Sequence, residues 1–258
     1  MRLMKRILSA AAVLALSASL LVGCSSGMAS SVPVSASSAA ESTVSSVEET
    51  ASSAVDENEA AAAQLLNDLT GSYQELWPVI LADEYKQTWL DDCTALVGEE
   101  NAEAAFEKLS SMVTSDVYGE DAVEAYANGG GAYFCGFTNS LATLTFDGET
   151  STISGTDKDG NVLFSHTYHY IGMEPVHGLY EFESDDADSG EFTYFFLAPD
   201  TSAETYHIEF RYGSDAEALS QYDAGEYAYW VASGISTDCD QTMIDKCIEL
   251  FCTENLAG

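Results

Sequence analysis

The sequence is poor in positive charge. Its 258 residues include 8 lysines and arginines against 43 aspartates and glutamates, which gives a formal net charge of −35 at pH 7. Nucleic acids and anionic lipid surfaces attract basic proteins, so a chain this acidic excludes nucleic acid as a partner. The same negative field keeps the protein soluble and concentrates cations near its surface, without selecting one particular ion.

The signatures of the common enzyme classes are also missing. The sequence contains no Gly-x-Ser-x-Gly elbow, no phosphate loop ending in Gly-Lys-Ser/Thr, no His-Glu-x-x-His helix and no Gly-x-Gly-x-x-Gly fingerprint. Pairs of carboxylates occur by chance throughout so acidic a chain, and therefore they do not argue for a glycosidase. The sequence predicts a binding protein and not an enzyme.

The N-terminus has the features of a bacterial export signal. Basic residues precede an apolar run from Ile7 to Leu21, which is too short to be a transmembrane anchor. The run ends in Leu-Val-Gly-Cys, residues 21–24, which resembles the lipobox of bacterial lipoproteins. The resemblance implies a signal peptide over residues 1–23, fatty acyl chains such as palmitate on Cys24, and a lipid anchor on the extracytoplasmic face of the cell membrane. An ordinary signal peptide with an incidental cysteine is the alternative.

Composition divides the rest of the chain into a tether and one domain. Residues 24–56 are rich in serine and alanine and contain no aromatic residue. Such a segment cannot bury enough apolar surface to offset chain entropy, so it is predicted to be disordered. Residues 57–258 carry the aromatic side chains that a core needs and are predicted to form one domain.

Helical periodicity marks the two ends of this domain. In residues 57–128, apolar side chains recur at helical spacing, as at Leu65, Leu66 and Leu69. Residues 214–254 are predicted to be helical and to end in an amphipathic helix that closes the molecule. The two segments form the predicted helical flanks of the domain.

Between the flanks, residues 132–212 alternate apolar and polar side chains in six short runs separated by turn signals. Asp147-Gly148 and Asp159-Gly160 are typical of hairpin turns. Six or more consecutive antiparallel strands with short loops favour a sheet that curls into a closed barrel, since closure removes exposed edges. The predicted fold class is α+β, an antiparallel β-barrel with flanking helices.

The four histidines are few enough to weigh one by one. His207 and Glu209 lie two residues apart in a predicted strand over Glu204–Phe210, and therefore on one face of it. Imidazole and carboxylate are zinc ligands, but two ligands do not make a site. His169 and His177, on or beside neighbouring strands, are the nearest candidates for a third ligand. A plain polar strand face is the alternative interpretation.

Two acidic segments are candidate cation loops. Residues 157–161 resemble the opening of a calcium loop, but Val162 and Tyr168 stand where such a loop needs glycine and glutamate, so the segment is predicted to be a hairpin turn. Residues 183–191 place several carboxylates in one loop between strands. Two interpretations stay open: the carboxylates of this loop bind a hard cation, or they are only solvated.

Cysteine pairing stays open at the level of sequence. If Cys24 is lipidated, an odd number of cysteines is left, so at least one thiol is free or pairs between chains. Their spacing matches no common zinc ribbon, and buried reduced thiols are an equally good interpretation. These cysteines are Cys93, Cys135, Cys239, Cys247 and Cys252.

The order of these segments resembles the ZinT/YodA-type zinc-binding proteins, which are lipocalin-like barrels of the calycin group. The likeness runs over about residues 69–234. Residues 69–80 (LTGSYQELWPVI) are similar to the opening helix entry of the family, and residues 166–172 (HTYHYIG) to its Tyr-x-Tyr strand. Residues 191–199 and 206–219 are similar to its Ala-Pro strand and its His-x-His strand.

The resemblance implies a lipocalin-like (calycin) barrel that binds zinc. In the family three histidines hold the ion, and their positions fall on Phe195, His207 and Glu209 of this sequence. One histidine is therefore kept, one is replaced by a carboxylate that can still bind zinc, and one by an aromatic ring that cannot. His169 or His177 would have to supply the missing ligand.

The sequence as a whole predicts a surface lipoprotein that binds a divalent cation, zinc above others, and buffers it or delivers it to a metal-uptake transporter. Two alternatives stay open. In one, the mouth of the barrel holds a small apolar ligand between Tyr168, Tyr170, Phe195 and Phe196. In the other, the domain is a cell-surface interaction module.

Overall fold

Eight antiparallel strands form a closed barrel in the computed structural model, which describes residues 57–257. Each strand pairs with the next one along the chain, and the first pairs with the last. The predicted α+β barrel with flanking helices is confirmed. The predicted signal peptide, Cys24 and tether lie outside the described residues. The strands are β1 (Gly71–Glu75), β2 (Thr143–Asp147), β3 (Thr152–Thr156), β4 (Val162–Met173), β5 (Tyr180–Ser184), β6 (Tyr194–Leu197), β7 (Ile208–Gly213) and β8 (Ala232–Ser236).

Three of the longer helices pack together, with Lys86–Val97 against both Glu99–Ser111 and Gln241–Leu256. Aromatic rings fill the space between them, since Trp89 lies 5.7 Å from Phe106 and 5.8 Å from Phe251 between ring centroids. Among residues 57–257, no helix is both long and apolar enough to cross a bilayer. The helices are α1 (57–68), α2 (Leu76–Ile80), α3 (Lys86–Val97), α4 (Glu99–Ser111), α5 (Glu120–Ala127), α6 (Ser202–Thr205), α7 (Ala216–Leu219) and α8 (Gln241–Leu256).

The two strands that close the barrel lie in segments predicted to be helical. β1 falls within residues 57–128 and β8 within residues 214–254, and Tyr73 of β1 lies opposite Ser236 of β8. Both strands have five residues, and β8 (ASGIS) is buried at its first four positions, so it shows no alternation of apolar and polar side chains. Their pairing depends on residues far apart in the chain, which local periodicity does not reveal.

The two predicted hairpin turns are present between β2 and β3 and between β3 and β4. At the first turn, a Cβ on Gly148 would lie 2.4 Å from the Cα of Asn67 in α1, so only glycine fits there. At the second turn, the Asp157 carboxylate accepts hydrogen bonds from the backbone N–H groups of Asp159 (2.9 Å) and Asn161 (2.8 Å). These hydrogen bonds to the Asp157 side chain stabilise the turn.

Strand β7 is buried on both of its sides, which positions the site described next. On one side, Phe210 and Tyr212 join a cluster of aromatic rings, with Tyr212 5.4 Å from Phe195 on β6. On the other side, the fully buried Arg211 donates hydrogen bonds to backbone carbonyls, including that of Gln221 at 3.2 Å. Glu209 lies two residues before Arg211 and shares its side of the strand.

Candidate metal site

His207 lies immediately before β7 and is buried, with 7% of its side chain exposed. The strand predicted to start at Glu204 begins only at Ile208, because α6 comes first and Tyr206 ends it in a left-handed conformation (φ 65°). The imidazole nevertheless faces the predicted partner, since its Nε2 lies 3.8 Å from Oε1 of Glu209. The spacing of two residues therefore brings these side chains together, as the sequence predicts.

One nitrogen of the imidazole is held by the backbone. Nδ1 of His207 lies 2.7 Å from the carbonyl oxygen of Thr205. A carbonyl only accepts, so Nδ1 donates and carries the proton. In the neutral ring the lone pair is then on Nε2, the nitrogen that faces Glu209. Histidines that bind metals are commonly oriented by such a bond from the second nitrogen to a carbonyl.

Burial and the neighbouring side chains shift the pKa of His207 in opposite directions. Burial lowers the pKa of the imidazole, because a charged ring is poorly solvated there, but the neighbouring Cys247 and Glu209 raise the pKa, which ends well above its ordinary value. The Cys247 sulfur lies 3.9 Å from Nδ1. His207 and Glu209 therefore attract each other as an imidazolium and a carboxylate when no other cation is present.

A cavity of about 10 Å³ lies between this pair and the C-terminal helix. It has room for one particle of the size of a water molecule or a metal ion, and none for an organic ligand. One imidazole and three carboxylates are among the groups that line it. The lining residues are Ala198, Asp200, Thr205, His207, Glu209, Leu250 and Glu254.

The register of β6 and β7 explains why Asp200 reaches this cavity. Leu197 lies opposite Phe210, and the backbone N–H of Ala198 donates to the carbonyl of Glu209 at 2.9 Å. Continuing the antiparallel count by two residues places Asp200 opposite His207. Counting along this hairpin in the sequence would have found it.

Two cavity residues were missed by the sequence analysis. Asp200 follows the Ala-Pro pair, whereas Phe195, the position predicted to have lost a histidine, pairs with Tyr212. Glu254 lies near the end of α8, in a helix that the sequence marks only as amphipathic. Nothing in the sequence signals which barrel strand this helix covers.

His169 lies away from the cavity. It belongs to β4, opposite Glu183 of β5, and 53% of its side chain is exposed. Its Nδ1 lies 2.7 Å from Oδ1 of Asp185, and His166 is similarly 2.7 Å from Asp186. The acidic loop after β5 therefore faces two histidines as well as solvent.

His177 is buried in a different cluster and does not line the cavity either. Its Nδ1 lies 3.4 Å from Oε2 of the fully buried Glu174, and its ring centroid is 3.8 Å from that of Tyr222. Glu174 also accepts hydrogen bonds from the backbone N–H groups of Val176 (2.8 Å) and His177 (2.6 Å). The hydrogen bonds of the Glu174 carboxylate therefore stabilise the turn between β4 and β5.

Three of the four residues expected at a barrel mouth are packed rather than open, and the fourth, Tyr170, is half-buried. Phe195 and Phe196 have no exposed surface, and Tyr168 is 2% exposed. The Tyr168 and Phe195 rings meet edge to face with centroids 5.4 Å apart. Tyr168 and Phe195 therefore pack in one aromatic core, and Phe196 is buried on the opposite face of β6.

The fit of a metal ion to the cavity can be judged from the donor atoms. Two zinc ligands in a tetrahedral arrangement stand about 3.4 Å apart, so Nε2 of His207 and Oε1 of Glu209 at 3.8 Å are slightly wider than an ion requires. Among the described residues, no three histidine, cysteine, aspartate or glutamate side chains converge on one point. The donor types fit zinc, and Asp200 or Glu254 must turn towards the pair to complete a coordination shell.

No protein-family model and no curated protein matches the sequence. Among solved structures, the chain is similar to the Zn(II)-bound ZinT-like domain of AdcA from Streptococcus pneumoniae, with 15% identity and a TM-score of 0.46 over 72% of this chain and 89% of that chain. It is also similar to Zn(II)-bound AdcA of the same organism, with 14% identity and a TM-score of 0.42. The match covers 72% of this chain and 34% of that longer one. The family predicted from the sequence is thus represented among the similar structures.

Proposed function

We propose that this domain binds one divalent cation, zinc above others, in the cavity between β7 and α8. The observation that carries the proposal is the pair of buried His207 and largely buried Glu209, whose nitrogen and oxygen lie 3.8 Å apart at a cavity of about 10 Å³. The Thr205 carbonyl fixes the ring so that Nε2 faces Glu209. Asp200 and Glu254 complete a set of one nitrogen donor and three carboxylates around the cavity.

The electrostatics of this set favour a cation. The three carboxylates around so small a space repel one another unless protons or a metal ion neutralise them. Zinc accepts imidazole nitrogen and carboxylate oxygen at about 2.0–2.2 Å, in shells of four ligands. His207 and Glu209 are the first two ligands in this proposal, and Asp200, opposite His207 in the hairpin register, is the third.

The cellular role follows from the sequence features. Lipid on Cys24 would hold the chain on the outer face of the membrane, and the residues 24–56 would let the domain reach away from it. The negative charge of the whole protein raises the concentration of cations around the site. Bound zinc would be buffered there or delivered to an uptake transporter, without a chemical reaction.

Zinc titration by isothermal calorimetry on the full chain tests the proposal. We expect one site with micromolar or tighter affinity, which His207→Ala abolishes because, among the residues that the structure describes, His207 is the only nitrogen ligand lining the cavity. His169→Ala is the matched control, since this histidine also faces a carboxylate but lies outside the cavity. Absence of binding to the unaltered chain, or equal binding to the His207→Ala variant, would overturn the proposal.

A further inference from the structure

Two buried cysteines face each other where α3 packs against α8. The Sγ atoms of Cys93 and Cys252 lie 3.9 Å apart, and neither residue has any exposed surface. Both are thiols in the structure, as are the other cysteines among residues 57–257. The two residues are 159 positions apart in the sequence, so their meeting is a product of the tertiary fold.

The packing around the pair holds the two helices in register. Trp89, one turn before Cys93 on α3, contacts the ring of Phe251, the neighbour of Cys252 on α8, with centroids 5.8 Å apart. Phe251 also contacts Trp77 of α2 edge to face at 4.8 Å. Large rings packed on several sides leave little freedom for the helices to slide or separate, so the short distance between the sulfurs is a fixed property of the folded domain.

We propose that Cys93 and Cys252 form a disulfide that joins α3 to α8. Bonded sulfurs are about 2.0 Å apart, so the two sulfur atoms have to approach by about 1.9 Å, through rotation of the two side chains about χ1. Neither sulfur lines the cavity, so formation of the cross-link does not require a bound metal ion.

The oxidant in this step is a low-molecular-weight disulfide, acting by thiol–disulfide exchange. The thiolate of one cysteine attacks a sulfur of that disulfide, forms a mixed disulfide and releases one small thiol. The thiolate of the other cysteine then attacks the protein sulfur of the mixed disulfide and releases the second small thiol. The two cysteines lose two protons and two electrons, and the small disulfide gains them as two thiols.

Burial decides when the bond forms and how long it lasts. It raises the pKa of both thiols, which disfavours the reactive thiolates in the folded protein. The exchange therefore proceeds while α8 is not yet packed, as the chain folds. Once formed, the disulfide has no exposed surface, and the packing that hides it also shields it from reductants.

The cross-link also bears on the cavity, because α8 carries part of its wall. Leu250 and Glu254 each lie two residues from Cys252 on this helix. Joining Cys252 to α3 fixes the last turns of α8 and with them the position of the Glu254 backbone. Amide hydrogen exchange in residues 250–256 should be slower in the oxidised protein than in the reduced one.

Refolding of the full chain in a buffer of reduced and oxidised glutathione, followed by blocking of free thiols and peptide mapping, tests the proposal directly on the unaltered protein. We expect a linked peptide pair containing Cys93 and Cys252, and a Tm about 10 °C higher than that of the fully reduced protein. Both thiols found alkylated, or either sulfur found joined to a different cysteine, would overturn it.

Variants separate the cross-link from a general effect of oxidation. Cys93→Ala and Cys252→Ala should each remove the linked peptide and the difference in Tm between oxidised and reduced protein. Cys239→Ser is the matched control, because Cys239 is only half-buried and lies outside the α3–α8 contact, and it should keep both. A Tm difference that survives in Cys93→Ala contradicts the assignment.

Discussion

Two pairs of histidine and carboxylate side chains occupy very different parts of the molecule. His207 and Glu209 are buried beside a cavity, whereas His169 and Asp185 are about half exposed on the β4–β5 side, with the closer contact of 2.7 Å. The shorter histidine–carboxylate distance therefore belongs to the exposed pair, so distance alone does not identify a metal site. What distinguishes the first pair is the loss of solvent, the orientation of its ring by a backbone carbonyl and the nearby space for one ion.

A third pair sharpens this contrast. The His177 side chain is as buried as that of His207, and Glu174 is more buried than Glu209, but the Glu174 carboxylate accepts hydrogen bonds from two backbone N–H groups of its own turn. Its oxygens are therefore engaged in holding a loop. Burial of a carboxylate beside a histidine indicates a binding site only when the backbone does not already occupy its oxygens.

The largest expected effect is on the cavity pair. Glu209→Gln should weaken zinc binding about 100-fold, because an amide is a poor zinc ligand and carries no charge. Asp185→Asn, the same change at the exposed pair, should leave the affinity unchanged. Competition with a zinc-binding dye measures both. Equal losses in the two variants would mean that the negative charge of the whole protein, and not the cavity, attracts the ion.

The next effect is on stability at the third pair. Glu174→Gln should lower the free energy of unfolding by about 2 kcal/mol, since it weakens charge-assisted hydrogen bonds to two buried N–H groups. Urea denaturation at pH 7 measures this loss. Glu149→Gln, in the exposed turn after β2, is the control, and a stability of Glu174→Gln equal to that of the unaltered chain would contradict the role assigned to the turn between β4 and β5.

The same carboxylate predicts a pH dependence. Burial raises the pKa of Glu174, but the His177 ring and the N–H groups of His177 and Val176 outweigh burial and bring it below its ordinary value of 4.5. A carboxyl whose pKa is lowered by folding stabilises the protein above its unfolded pKa and loses that contribution as the pH falls through the folded pKa. Acid unfolding followed by circular dichroism should show a shallower loss of stability below pH 4.5 in Glu174→Gln. Identical acid profiles would assign the loss to other carboxylates.

A smaller effect is expected at the residue that the hairpin register adds to the site. Asp200→Asn should weaken zinc binding about 10-fold, because it removes one charge from the cavity while the first two ligands stay. Asp159→Asn, in an exposed hairpin turn, is the control for the loss of one charge. An affinity for Asp200→Asn equal to that of the control would exclude Asp200 as a ligand.

The smallest effect is expected at the exposed pair. His169→Ala should change the free energy of unfolding by no more than about 0.5 kcal/mol, since solvent screens a half-exposed ion pair. Urea denaturation at pH 6 measures the change. A loss of more than about 1 kcal/mol would show that this pair has a structural role, and would remove the contrast with His207.

The barrel could be predicted from the sequence where the information is local. Alternating side chains and Asp-Gly turns define β2, β3 and β4 without knowledge of the tertiary fold. The closing strands β1 and β8 could not be found this way, because β8 is buried at its first four positions and β1 has only Tyr73 buried, so neither strand alternates over a useful length. Their partners lie more than half the chain apart, and only the closed ring specifies them.

The residues of the candidate site also differ in whether local sequence could predict them. The pairing of His207 with Glu209 follows from a period of two, although α6 delays the start of the strand. Asp200 follows from counting a hairpin, which is still local. Glu254 depends on where α8 docks, and the contact between Cys93 and Cys252 depends on the same packing. Helix docking is decided by the summed burial of many side chains, which no short motif encodes.

The pairing of Glu75 with Gly234 means that the ring of strands is completed by a segment near the end of the chain. During synthesis, a growing polypeptide that has not yet reached Ala232 has an open sheet with two unsatisfied edges, each of which can recruit a strand from another molecule. Premature termination anywhere before that point should therefore yield aggregates instead of a smaller working domain. Strand β8 therefore has to be synthesised before the edges of the sheet are protected from pairing with other molecules.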